Sequence, residues 1–189
     1  MEATSKEQMI SCLPFQTSSF VNDRMQQAAA AKDVNRLREL VYLAILMRFR
    51  TVRGKDVNAD ILNKLLWNPP PAIISGLLRR FTETVVDGKQ QIHKITPRSK
   101  DKATNYALAL ALRIDDYNVD PAPLAADMEI GPIKIIEHLR SLGCRIEAVG
   151  RSASEAIGVS PAEAKAKRMR RAALTVPLSF PEPRKNRKT

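Results

Sequence analysis

The sequence predicts a mainly helical fold with small β-hairpins, an α+β architecture built as two similar copies in tandem. Three observations predict it. Apolar residues recur at helical spacing in three successive stretches. The third stretch runs into an alternating segment that turns at Asp87-Gly88. The same order then returns at an offset of roughly 63–65 residues, setting "LMRF" over "ALRI" and "FTETVV" over "CRIEAV". A recurrence of that size marks tandem copies of a small domain rather than solenoid repeats.

Residues 1–32 show no sustained period, although "MQQAAAAKD" could start a helix, and read as a linker or arm with Leu13, Phe15 and Phe20 available to dock on something else. Asp33 can cap the next helix, in which Leu37, Leu40, Val41, Ala44, Ile45, Leu46, Met47 and Phe49 recur at helical spacing. "VRGKDV" breaks that helix. A short helix at about 59–67 carries Ile61, Leu62, Leu65 and Leu66. "NPPP" (68–71) stops it and starts another, with Asn68 as cap and proline in the first turn. Ile73, Ile74, Leu77, Leu78 and Phe81 form the buried face of that third helix. "TETVVDGKQQIHKIT" then alternates about a tight turn, a hairpin pattern. Three helices and a hairpin make a winged helix over residues 33–97.

The second copy spans residues 98–180. "PRSKDK" reads as a polar joint, followed by helices at 103–114, 121–128 and 131–143 and a strand-like "CRIEAV" at 144–149. Leu108, Leu112, Leu124, Ile135, Ile136, Leu139 and Leu142 should share its core. An inserted basic helix is expected at 160–173, where the wing should turn. "LTVPLSF" (174–180) is a return strand that Pro177 confines to an edge or a bulge. Residues 181–189 form a solvated basic tail.

Lys and Arg total 31 against 20 Asp and Glu, a net charge of +11 that favours polyanionic partners, nucleic acid or an anionic membrane surface. The longest apolar run, "LVYLAILM" (40–47), is too short to span a bilayer. "MEATSKEQMI" lacks the features of a secretory signal. Cys12 and Cys144 lie far apart without a CxxC pair, which suggests neither zinc ligation nor a disulfide framework. Two buried or idle thiols in a reducing compartment are expected, inside the cell.

Asp115, Asp116, Asp120 and Asp127 crowd one stretch. A magnesium site wants converging carboxylates, usually beside a phosphate substrate, and no glycine loop to cradle a phosphate accompanies them. Asp120 directly precedes Pro121, the N-cap and N1 pattern of a helix start. These aspartates therefore read as helix punctuation. His93 and His138 have no fitting carboxylate and nucleophile nearby in sequence, and no GxSxG, HExxH, P-loop or dinucleotide fingerprint occurs. The expectation is a non-enzyme with no catalytic residue, metal or cofactor.

The basic residues carry more information. Arg79, Arg80, Lys89 and Lys94 fall on the third helix and wing of the first copy. Lys134, Arg140 and Arg145 take the corresponding places in the second, and Lys165, Lys167, Arg168, Arg170 and Arg171 cover the basic helix. Any one of them is explained equally well as a charge solvating a face. As a set, with few acids interspersed, they have the footprint of duplex DNA contact. Neither third helix concentrates Asn and Gln beside Arg, the types that pair with base edges. Phosphate contacts with little sequence preference are expected.

"LALRIDDYNVDPAPLAADM", then "HLRSLGC", then "LTVPLSFP" resemble, in order, the C-terminal half of the forty-nine-kilodalton-type subunit of RNA polymerase I, a likeness carried by residues 104–181. "LPF" and the first helix at 37–50 agree more loosely. The resemblance implies a tandem winged-helix module related to the beta subunit of general transcription factor E. It implies a non-catalytic DNA binder that supports initiation and elongation on ribosomal RNA genes, in the nucleus and nucleolus, on the RNA polymerase I core. It also implies a dimerisation domain for a smaller partner subunit, which has no counterpart here, so the chain is expected to be an excised fragment or a shortened relative. The basic helix at 160–173 has no match in the family pattern. A rival expectation is a protein-interaction module whose basic helix serves an acidic polymerase surface.

Overall fold

The structure, a computed structural model, describes residues 18–52, 56–87, 90–150, 158–166, 169–178 and 180–181. It is mainly helical, with eight helices and two small antiparallel sheets among the described residues. Helix α1 (Ser19–Ala30) precedes the first copy, which consists of α2 (Val34–Thr51), β1 (Asp56–Val57), α3 (Ala59–Leu65), α4 (Pro71–Phe81), β2 (Glu83–Asp87) and β3 (Gln90–Lys94). The second consists of α5 (Pro97–Ile114), β4 (Asn118–Val119), α6 (Pro121–Asp127), α7 (Pro132–Ser141), β5 (Arg145–Ala148), α8 (Pro161–Ala166) and β6 (Arg170–Ala173). In each copy the last strand lies between the other two, giving orders β1-β3-β2 and β4-β6-β5. The short strands β1 and β4 come from residues whose sequence signals only a helix break.

Local chemistry accounts for most helix starts. The side chains of Asp33, Asn58, Thr96 and Asp120 each accept a hydrogen bond from a backbone N–H in the first turn they cap. α5 and α6 follow their caps with proline, as pre-set φ favours. Asn68 is not the cap of α4: it sits in a left-handed turn at φ 51°, and Pro70 occupies the cap position.

One continuous apolar core serves both copies. Leu108, Leu112, Leu124, Ile135 and Leu139 are buried in it, with Ile136 and Leu142 packed at its margin. The two long helices α2 and α5 form the main contact between copies. Phe81 bridges them, its ring centroid 5.9 Å from Phe49 and 5.2 Å edge-on from Tyr106.

Four expectations are corrected. The proposed arm is in part α1, whose Phe20, Val21, Met25 and Ala28 are buried, so Phe20 docks within this chain; Leu13 and Phe15 lie outside the described residues. The joint "PRSKDK" is the opening of α5, where Ser99 is buried and the Lys100 ammonium donates to the Val52 carbonyl at 3.0 Å. Within the expected basic helix of 160–173, Pro161–Ala166 is helical, but Arg170–Ala173 is the strand β6 that pairs with both β4 and β5. The return strand is therefore β6 rather than 174–180, where Leu174 donates its N–H to the Tyr117 carbonyl at 2.9 Å just past the end of the ladder.

Candidate nucleic-acid interface

The four crowded aspartates have separate structural places, three of them with their own partners. Asp115 forms a two-pronged pair with Arg24 of α1 at 2.5 Å, and the same guanidinium lies 3.6 Å from the Phe20 ring centroid. Asp116 is exposed in a turn at φ 49°. Asp120 caps α6, accepting from the Ala122 N–H at 2.8 Å. Asp127 is buried and accepts from the Ser18 hydroxyl at 2.8 Å and from the Phe20 and Ser19 N–H groups at 3.1 and 3.2 Å. It thereby holds the N-terminus of α1, where a negative charge meets the helix dipole. Among the described residues no three His, Cys, Asp or Glu side chains gather as a metal site.

Three arginines that sequence reasoning missed clamp the chain together. Arg24 pairs with Asp115, Arg36 donates to the Ile114 carbonyl, and Arg50 donates to the Met128 carbonyl at 2.5 Å and to the Thr104 hydroxyl at 3.0 Å. Burial depresses the pKa of Arg50, against the pull of Asp101 and Glu129. Each partner lies more than fifty residues away, so no local signal distinguishes these cations from ones that meet solvent.

The proposed phosphate ligands divide into three groups. Lys89, Lys167 and Arg168 lie outside the described residues. Lys94 and Lys134 are compromised by neighbouring acid. Lys94, on the central strand, stands opposite Asp56 on one side and Glu83 on the other, close enough across a sheet for opposite charges to interact. Lys134 pairs with Asp101 at 2.9 Å. The remaining residues lie at the surface, Arg171 half-buried and the others exposed. Arg79 and Arg80 are exposed in the last turn of α4, and Lys165 is exposed on α8.

The second copy gathers the rest. Arg140 in the last turn of α7 and Arg145 at the start of β5 line one surface groove with Cys144, Ile146, Glu147, Phe180 and Pro181. The register sets Glu147 opposite Arg171 and Ala148 opposite Arg170. Side chains alternate across a strand, so Arg145, Glu147 and Arg171 share the outer face while Ile146 and Ala172 face the core. Arg170 lies on the core-side face but is exposed near the hairpin tip. Gly143 makes this corner possible. Its φ of +92° suits glycine, and a Cβ there would meet Leu178 Cβ and Phe180 Cε1 at 3.3 Å.

Burial disfavours proton or thiol chemistry at Cys144 and His138. Burial pushes the Cys144 thiol up to about 11, away from the thiolate needed for reactivity. His138 is buried with Nδ1 2.8 Å from the Asn105 side-chain oxygen, and its pKa is lowered, chiefly by desolvation, against the pull of Asp101 3.6 Å from Nε2. His93 sits at the first sheet with Nδ1 3.0 Å from the Thr82 hydroxyl.

A family model described as "A49-like RNA polymerase I associated factor" matches residues 1–181. The chain is 37% identical over 177 residues to the DNA-directed RNA polymerase I subunit rpa49 of Schizosaccharomyces pombe, covering 93% of this chain and 40% of that protein. It is 26% identical over 188 residues to the subunit RPA49 of Saccharomyces cerevisiae, covering 96% of this chain and 44% of that protein. The chain thus spans less than half the length of these relatives.

Proposed function

The chain belongs to the family of A49-like RNA polymerase I associated factors, and from that premise we propose that it is the non-catalytic, DNA-holding part of an RNA polymerase I subunit. Each copy's order of helix, strand, helix, helix and two antiparallel strands, with α8 set between those strands in the second copy and the last strand central in each sheet, supports reading it as a winged helix. The two copies then correspond to residues 33–97 and 98–180, with α1 as a brace ahead of them.

The observation that carries the reading is the set of arginines on the second copy. Arg140 ends its third helix, and Arg145 and Arg171 share the solvent face of its wing, with Glu147 the one carboxylate between them. These three, with Arg170 and Lys165, are the first choice as phosphate ligands. Arg79 and Arg80 offer the first copy's contact, and Lys89, Lys167 and Arg168 add charge by sequence. Lys94, flanked by both Asp56 and Glu83, and Lys134, paired with Asp101, contribute least, whereas the single carboxylate opposite Arg171, Glu147, is outnumbered by the arginines around it.

The relatives are by name subunits of DNA-directed RNA polymerase I, which supports a role for this chain in that polymerase's transcription. On this reading it works in the nucleus, at nucleolar ribosomal RNA genes, beside the polymerase core and duplex DNA. A smaller partner subunit joins through a region these relatives have beyond the matched one. The testing experiment is titration of the chain with two random duplexes of unrelated sequence. Similar affinity for both, lost alike when Arg140, Arg145 and Arg171 are replaced by Ala, supports the reading. A strong preference for one duplex, or affinity unchanged in the triple variant, contradicts it.

A further inference from the structure

We propose that the apolar groove between α2 and α4 is a docking site for an acidic amphipathic helix of a partner protein. Val34, Leu37, Val41 and Ile45 fall on one stripe of α2, about 16 Å long at 1.5 Å per residue. Trp67 and Ile73 form the opposite wall. Ile45 is buried at the floor, but the rim is not core: Val34 and Trp67 are each 55% exposed and Val41 37%, although the neighbouring Leu40, Leu43 and Ala44 are buried. Val41, one of the residues recurring at helical spacing, faces this groove.

The backbone at Trp67 points to a built wall. Trp67 and Asn68 have φ of 62° and 51°, a left-handed conformation that is an outlier for so bulky a residue. The Asn68 N–H donates to the Asn63 carbonyl at 2.8 Å, and the prolines at 69–71 stiffen the approach to α4. A costly backbone that keeps a large ring half in water is the kind of strain that gathers at binding sites.

Charge and shape select the occupant. Arg38 is the one charged residue lining the groove, and it is exposed with no ion pair among the described residues. A carboxylate on the visiting partner would meet it. A second copy of this chain is a poor fit, because a net charge of +11 makes two copies repel. The groove runs along α2 for about three turns, with the turn at 66–70 and the first turn of α4 as its other wall, a form that accepts a helix through apolar residues at i, i+3 or i+4, and i+7.

The test uses the whole chain, whose single tryptophan makes Trp67 its own reporter. Two synthetic helical peptides of about 14 residues carry the same leucine stripe, one flanked by glutamates and one by lysines. The glutamate peptide should shift Trp67 emission to the blue and saturate, binding about tenfold tighter than the lysine peptide. By anisotropy of labelled peptide, Arg38→Glu should reverse that preference, and Trp67→Ala should abolish saturable binding while duplex affinity stays unchanged. Arg38 is exposed, so its substitution keeps the test independent of folding. Equal binding of both peptides, no binding of either, or indifference to Arg38→Glu overturns the proposal. So does a Trp67 shift that tracks chain concentration alone, which would indicate a second copy. A shift on removing residues 1–17, which would indicate a segment of this chain, overturns it too.

Discussion

Replacing Asp127 by Ala deletes the acceptor that fastens α1 to the second copy, across more than a hundred residues of sequence. The buried Ser18 hydroxyl and Phe20 N–H both lose their partner on that carboxylate, at about 1–3 kcal/mol for each group left unsatisfied. Loss of negative charge at the N-terminus of α1 adds about 0.3–1 kcal/mol. Ser18 also caps the helix through the Val21 N–H at 3.1 Å and keeps that bond, so the total should fall near 3–5 kcal/mol rather than the full sum. Asp127→Asn retains one acceptor oxygen and should cost about 1–2 kcal/mol. Urea denaturation followed by circular dichroism measures both, with an unchanged slope showing that the unfolded state is comparable. Amide exchange of residues 20–30 should accelerate in the Ala variant before global unfolding. A loss below about 1 kcal/mol refutes the capping account. A loss seen only with magnesium present would restore the metal reading of the cluster.

Three further outcomes rest on the same contacts. Leu139→Ala, at a fully buried site, should destabilise by about 2–5 kcal/mol in the same urea assay; less than half a kcal/mol would remove Leu139 from the core. His138 has a folded pKa below its ordinary 6.5, lowered by burial first and by Lys134 and Arg50, against the opposing pull of Asp101 and Glu137. The unfolded chain therefore binds the proton more readily, and stability present above pH 6.5 is lost as pH falls below that value, by at most about 1.4 kcal/mol per pH unit. His138→Phe should flatten that part of the stability curve, and an unaltered slope would show that another group titrates there. Lys134→Ala should weaken duplex binding less than Arg145→Ala, because Lys134 already faces Asp101 at 2.9 Å; equal losses in a side-by-side titration would show the pair opens on DNA.

What the sequence made legible was governed by local chemistry. α2, α4, α6 and α7 were readable because an apolar period agrees with a local start signal in each: the Asp33 cap in α2, Asp120-Pro121 in α6, and a first-turn proline in α4 and α7. α1 was not, because its buried Phe20, Val21, Met25 and Ala28 are set among alanines and glutamines with little contrast, and its anchors are Asp115 and Asp127. The start of α5 was hidden by polar residues that are consumed within the fold, such as Ser99 and Lys100. β6 is the sharpest failure: "RRAA" favours helix by composition, and pairing with β4 and β5 overrides that preference. Of the proposed site, the excess of positive charge was visible in the sequence but its distribution was not. Nothing local reveals that Asp101 occupies Lys134, that Asp56 and Glu83 flank Lys94, or that Arg140 and Arg145 line one groove.

The salt dependence of duplex binding tests the central claim most directly. Each phosphate neutralised by Lys or Arg releases condensed counterions, so log affinity should fall linearly with log salt at about −0.9 per contact. The full chain and its Arg140→Ala, Arg145→Ala, Arg171→Ala triple variant should be titrated with one random duplex across a salt series. The account predicts a steep line for the native chain and a line about three units shallower for the variant, one for each lost contact. A native affinity indifferent to salt, or equal slopes for the two proteins, would contradict it.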